Sequence, residues 1–257
     1  QPVRSARAYA SGLGYYELYL NGVKVSEDLL VPAPTNYDRR QLRHLLYHYA
    51  DQSSTRVLYN TYDIACYLKE GENEAGMILG NGWYNQRDRR VEGWLWYDTP
   101  RFILQLELEY ENGDTRLITS DESWKATTGP ITHDGIFTGE HYDARLELGS
   151  WHSPGYDDSA WQQARAVRPP TGPLQPQLAP PDRAARIVKA VSITHPQEKV
   201  FVYDMGEMIS GWARLTVSGA RGDTIAVDFI EELGESYGQR DLYVIKGDYA
   251  RAEPLLQ

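Results

Sequence analysis

Tyr15-Tyr16-Glu17-Leu18-Tyr19-Leu20-Asn21-Gly22-Val23-Lys24-Val25 reads as strand, tight turn, strand. Asn21-Gly22 is the strongest short hairpin signal a sequence can carry. Both central positions of a type I′ turn need positive φ, which Asn and Gly tolerate best.

The same grammar continues in both directions. Ala6 to Ala10 is a β-type run before the hairpin, and Pro32 and Pro34 break the ladder after it. Val57 to Asp63 alternates apolar and polar residues. Ala65 to Leu68 predicts a brief helical turn closed by Gly71, and Glu74 to Leu79 returns to strand. Phe102 to Tyr110 alternates cleanly, and Asn112-Gly113 turns it into Arg116 to Ser120. This second hairpin is expected to share the chemistry of the first. Trp124 to Thr127 and Ile131 to Phe137 add two short strands. Arg168 to Pro181 is rich in proline, hence stiff and extended. Beyond it Ile187 to Thr194, Lys199 to Asp204, Ala213 to Ser218, Thr224 to Ile230 and Tyr243 to Lys246 read as strands. No helical periodicity persists over about 12 residues. The predicted fold is all-β: two β-sandwich (jelly-roll-like) modules in series, the second incomplete. The expected boundaries are 1–167, a Pro-rich linker 168–184, and 185–257.

The chain has 257 residues and a formal net charge of −10. Phosphate binding needs a basic footprint, so nucleic acid is disfavoured, and an anionic membrane surface with it. No apolar run approaches the about 20 residues of a membrane helix. A single cysteine, Cys66, excludes a disulfide framework within the chain. Its apolar and aromatic setting predicts a small buried hydrophobe. No signal peptide is visible; the chain is within a strand-like pattern by Ala8 and is expected to start after a processed or missing segment, and it stops at Gln257 in what reads as mid-domain.

Hydrolytic chemistry would need paired carboxylates. Glu231-Glu232 and Asp157-Asp158 are adjacent in sequence, and neighbours on a strand point to opposite faces, so neither pair can flank one sugar. Glu207 sits in a glycine-flanked turn and is the better single candidate. His44 and His48 share an i, i+4 spacing without the glutamate of a zinc protease motif. Oxygen ligands from loops suit calcium better, and Asp38 and Asn81 are the candidates; turn capping is the plainer role for Asp38. Gly80-Asn81-Gly82 lacks the rest of a nucleotide motif.

Aromatic residues carry the clearest functional signal. Gly80-Asn81-Gly82-Trp83-Tyr84 ends an apolar strand and is expected to expose Trp83 and Tyr84 beside one amide. Such a surface suits a sugar, whose C–H faces stack on rings while its hydroxyls seek amide and carboxylate partners. Trp94 and Trp96 would share one face of a strand.

Several segments, in order, resemble the N-terminal, non-catalytic part of bacterial-type α-L-rhamnosidases, glycoside hydrolase family 78. They are Gly14 to Gly22, Ala33-Pro34-Thr35-Asn36-Tyr37-Asp38-Arg39-Arg40, Tyr59 to Ile64, Leu68 to Asn73, Gly80 to Tyr84, Gly139-Glu140-His141-Tyr142-Asp143-Ala144-Arg145 and Asp157 to Trp161. Val202 to Trp212 resembles the family's second β module. Leu42 to Arg56 stands out as an insertion. The resemblance implies an accessory role with no catalytic residue in this chain. The partners it implies are a rhamnose-containing glycan and a C-terminal catalytic barrel of paired helices in the same protein. It also implies a secreted or periplasmic setting. From the resemblance only Asp38 and Asn81 carry over, as sugar and calcium ligands, calcium being the one cofactor expected; the exposed-aromatic reading adds Trp83 and Tyr84 as sugar contacts, with Arg39 beside Asp38. A free-standing carbohydrate-binding module, a purely structural scaffold and the accessory sandwich of a polysaccharide lyase stay open as alternatives.

Overall fold

The computed structural model describes residues 1–38, 54–87, 96–234, 238–247 and 250–252, the last as backbone. In chain order the strands are β1 (Val3–Leu13), β2 (Tyr15–Leu20), β3 (Val23–Lys24), β4 (Val57–Asp63), β5 (Ala75–Gly80) and β6 (Arg101–Tyr110). Next come β7 (Thr115–Thr119), β8 (Lys125–Ala126), β9 (Ile131–Gly135), β10 (Gly139–Asp143), β11 (Gln162–Gln163) and β12 (Leu174–Pro176). The last are β13 (Ser192–Gln197), β14 (Val200–Asp204), β15 (Leu215–Val217), β16 (Thr224–Asp228), β17 (Arg240–Val244) and β18 (Ala250–Ala252). The helical elements among the described residues are short 3-10 turns at Ala65–Tyr67 and Ala144–Leu146. The all-β prediction therefore holds.

A five-stranded sheet runs β12-β4-β1-β6-β7, and a three-stranded sheet runs β3-β2-β5. Their facing surfaces make the main core. Ala6, Ala8 and Ala10 of β1 and Leu104, Leu106 and Leu108 of β6 point inward at every second position. Tyr16, Leu18 and Leu20 of β2 meet them. The period of two that separates faces in a strand does this sorting. The alternate residues carry polar pairs on the outer face: the Ser5 hydroxyl donates to Glu109 at 3.0 Å, and the Tyr9 hydroxyl donates to Glu107 at 3.1 Å.

The Asn21-Gly22 turn has positive φ at both residues, 51° and 88°. Asn21 also ties two loops together. Its side-chain amide donates to Tyr67 O at 2.9 Å and to Asn73 Oδ1 at 2.7 Å, and its Oδ1 accepts from Glu74 N at 2.9 Å. The second hairpin differs from the expectation. Only Gly113 is left-handed there (φ 88°), and Gly113 N donates to Tyr110 O at 2.9 Å. That is a type I turn followed by a single left-handed residue, the three-residue alternative to the type I′ loop.

Cys66 also departs from expectation. It lies on the outward side of the Ala65–Tyr67 turn and is exposed. The proline-rich stretch supplies β12, which pairs in parallel with β4 along the sheet edge, Leu174 beside Val57. A further sheet, β16-β17-β10-β9, draws strands from both sides of the proline-rich stretch, with β17 parallel to β10. The expected insertion at Leu42 to Arg56 falls largely outside the described residues.

Candidate functional site

The Gly80–Tyr84 loop leaves the end of β5, where Gly80 pairs with Tyr15 of β2. Close approach shapes it. Gly14 has φ 104°, and a Cβ there would lie 2.1 Å from Gly80 O, so no other residue fits. The loop then closes a short helical-type turn, with Asn85 N donating to Asn81 O at 3.1 Å and Gln86 Nε2 to Gly82 O at 2.9 Å.

Asn81 is spent on its own surroundings. Its N–H donates to Asp134 Oδ2 at 2.7 Å, and its side-chain amide donates to Asp134 O at 3.1 Å and also to Asp134 Oδ1. Its Oδ1 accepts from Asn85 Nδ2 at 2.6 Å. Burial raises the Asp134 carboxyl above the usual carboxylate range, opposed by the hydrogen bonds from Asn81 and by His133.

Trp83 and Tyr84 diverge. Tyr84 was expected at the surface but is a core residue, 3% exposed. Its ring meets Tyr37 edge-on at 5.2 Å and stacks on Tyr97 at 5.5 Å. In this helical-type turn neighbouring side chains stand about 100° apart, so Trp83 and Tyr84 leave in different directions, and Tyr37 and Tyr97 cover Tyr84. Trp83 takes the outer side, half-buried, with its ring edge-on to Phe137 at 5.6 Å. Beneath it burial pushes the Tyr15 hydroxyl up to about 12, eased by a hydrogen bond from Trp83. Phe137, 38% exposed, sits in the turn between β9 and β10. Sequence reading placed it at the end of a strand and assigned it no site, since nothing local links it to a loop more than fifty residues earlier.

Asp38 follows Tyr37, and its Oδ1 accepts from Thr171 N at 2.9 Å and from the Thr171 hydroxyl. These bonds tie Asp38 to a segment 133 residues away and are not a cap on its own turn. Arg39 and Trp94 lie outside the described residues. Trp96 is half-buried, bridged to Asn85, with the Arg87 guanidinium 4.9 Å from its ring centroid.

The donors named for calcium do not fit that ion. Both Asn81 polar side-chain atoms and one Asp38 oxygen are already engaged. Among the described residues no group of three or more His, Cys, Asp or Glu side chains could hold a metal. The carboxylates weighed for hydrolysis are likewise occupied or solvated. Glu207 pairs with Arg186 at 2.6 Å, Asp158 pairs with Lys125 at 2.6 Å, Asp157 accepts from Ser159 N at 3.0 Å, and Glu231 and Glu232 are exposed.

Comparison with known proteins gives a consistent result. Residues 1–186 match the α-L-rhamnosidase N-terminal domain family, and residues 194–252 match the bacterial α-L-rhamnosidase concanavalin-like domain. The chain is 37% identical over 236 residues to an α-L-rhamnosidase of Formosa agariphila, covering 90% of this chain and 23% of that protein. A solved structure of Streptomyces avermitilis α-L-rhamnosidase complexed with L-rhamnose superposes with a TM-score of 0.86 at 34% identity, over 99% of this chain and 24% of that one. The α-L-rhamnosidase of Dictyoglumus thermophilum also gives 0.86 at 34% identity, over 99% of this chain and 27% of that one. The chain thus spans about a quarter of the length of the relatives it matches.

Proposed function

The chain belongs to the α-L-rhamnosidase N-terminal domain family, and from that premise we propose that it is the non-catalytic N-terminal part of a glycoside hydrolase that removes terminal α-L-rhamnose from glycans or glycosides. The observation that carries this reading is the match of nearly the whole chain, 99%, to about a quarter of an α-L-rhamnosidase. The acid and base carboxylates would be supplied by a separate catalytic barrel of the same protein. The setting that fits a polymeric or plant-derived substrate is secreted or periplasmic.

Within that protein the contribution of this region is recognition and support. Trp83 and Phe137 form a half-exposed aromatic corner, the kind of apolar face on which the C–H side of a deoxy sugar stacks. Asn81 acts as a positioning residue, fixing the loop that carries Trp83. Tyr84 and Tyr37 make the floor beneath it, and Asp38 anchors the adjoining segment through Thr171.

An assay on an aryl α-L-rhamnoside tests this division of labour. The whole protein is expected to release rhamnose with inverted anomeric configuration, and the isolated chain to release none. Turnover by the isolated chain would overturn the accessory role.

A further inference from the structure

Strand β7 closes one edge of the five-stranded sheet, and all five of its residues are exposed. Its one neighbour among the described residues is β6, with Leu117 beside Glu107 and Ile118 beside Leu106. Ser120 N donates to Leu104 O at 2.8 Å past one end of this ladder, and Tyr110 N donates to Asp114 O at 2.9 Å past the other. Antiparallel pairs alternate between bonded and non-bonded, so these two bonds fix the phase between them. Arg116 and Ile118 turn their N–H and C=O toward β6. Thr115, Leu117 and Thr119 turn theirs outward, where no described strand lies. We propose that β7 is a self-association edge, pairing antiparallel with β7 of a second copy of this chain about a two-fold axis at Leu117.

An open edge is a template for another strand, and the side chains decide which one fits. Thr115-Arg116-Leu117-Ile118-Thr119 reads almost the same in both directions. The two-fold axis therefore sets Leu117 opposite its own copy and Thr115 opposite Thr119. These are the residues whose backbone groups face outward, so each such pair can exchange both of its N–H···O bonds. Thr–Thr and apolar cross-strand pairs stabilise a sheet, whereas like charges directly opposite destabilise it. Arg116 falls opposite Ile118, which keeps the two guanidinium groups from facing each other. The neighbouring registers each lose a bonded pair, and one of them sets Arg116 against Arg116. Leu117 is 60% exposed and Ile118 36% exposed, on opposite faces of the strand, so pairing removes apolar surface on both.

Other edges are less suited. At the far side of the same sheet β12 has Pro173 before it and Pro176 within it, and proline brings no N–H to a ladder. At the edge of the other sheet β16 ends on Asp228, whose carboxylate is held by Arg240 at 2.6 Å. Charged side chains on an edge strand blunt pairing. The contact through β7 is itself modest. One pair of short strands covers less than the about 1,200–2,000 Å² of a stable interface. Each copy also carries a net charge of −10, so the association is weak and needs salt to screen the repulsion.

Sedimentation equilibrium of the 257-residue chain at about 0.15 M salt tests this. The average mass is expected to rise above the 29.3 kDa of one chain. The rise should be at least about 1.3-fold between about 5 µM and about 500 µM, the range of a weak complex. Leu117→Lys sets two ammonium groups opposite each other in the pair, at a position exposed in the single chain. This variant should fold and keep the single-chain mass throughout. Hydrogen exchange then locates the contact. The Leu117 amide should exchange at least about threefold more slowly at the upper concentration, while Arg116 and Ile118, already bonded to β6, should not change. A wild-type mass that stays at one chain, association that Leu117→Lys retains in full, or association without slowing at Leu117 would each overturn the proposal.

Discussion

Asn81 and Asp134, 53 residues apart in sequence, are joined through the Asn81 backbone N–H at 2.7 Å and through its side-chain amide. This junction fastens the loop bearing Trp83 to the strand that leads to Phe137. Asn81→Ala removes the side-chain donors and leaves a partly buried carboxylate under-satisfied. The expected loss is about 1–3 kcal/mol of stability, read as a lower melting temperature. The Trp83 environment should loosen with it, seen as altered tryptophan emission.

Adjacent residues of one loop should behave oppositely. Tyr84→Ala deletes a ring from the Tyr37–Tyr84–Tyr97 cluster and is expected to lower stability by about 3–5 kcal/mol in denaturant titrations. Trp83→Ala should destabilise clearly less, because that ring is only partly buried and packs at the surface against Phe137. Equal destabilisation by both would contradict the divergence of the two side chains.

The alternation of β6 gives a comparable contrast. Leu104 is 1% exposed and Ile103 is 50% exposed. Leu104→Ala is expected to lose about 2–5 kcal/mol by opening a cavity in the sandwich. Ile103→Ala should stay within about 0.5–1 kcal/mol of wild type, as surface substitutions do. Urea unfolding of the two variants checks this.

Alkaline unfolding should involve Tyr15. Burial raises its hydroxyl from 10.0 to about 12, so the folded chain keeps a proton that the unfolded chain releases. The stabilisation is full below about pH 10 and is lost as pH rises through about 12, on the order of 2 kcal/mol in all. Tyr15→Phe should flatten the stability profile across that window. A profile unchanged by the substitution would contradict the burial of the hydroxyl.

What the sequence reveals and what it hides follows from the range of each interaction. The Asn21-Gly22 hairpin and the alternation of Phe102 to Tyr110 are local, set by turn dihedrals and a period of two, and both were legible. Which side of the Gly82-Trp83-Tyr84 turn becomes core depends on Tyr37 and Tyr97, which no local pattern connects to it. The outward-facing Cys66 was missed because a single 3-10 turn decides its direction. The partnership of Trp83 with Phe137, and that of β10 with β17, need long-range register that composition and periodicity do not encode. At the second hairpin Asn112-Gly113 was legible as a turn, but one added residue changed its type.

Calorimetric titration of this chain with L-rhamnose, beside its Trp83→Ala and Phe137→Ala variants, tests the central claim most directly. The account predicts saturable binding by the wild-type chain, without added calcium, weakened several-fold to about tenfold by either substitution, since ring stacking contributes about 0.5–1.5 kcal/mol. Clean absence of binding to a folded sample, or binding that both variants retain in full, would contradict it.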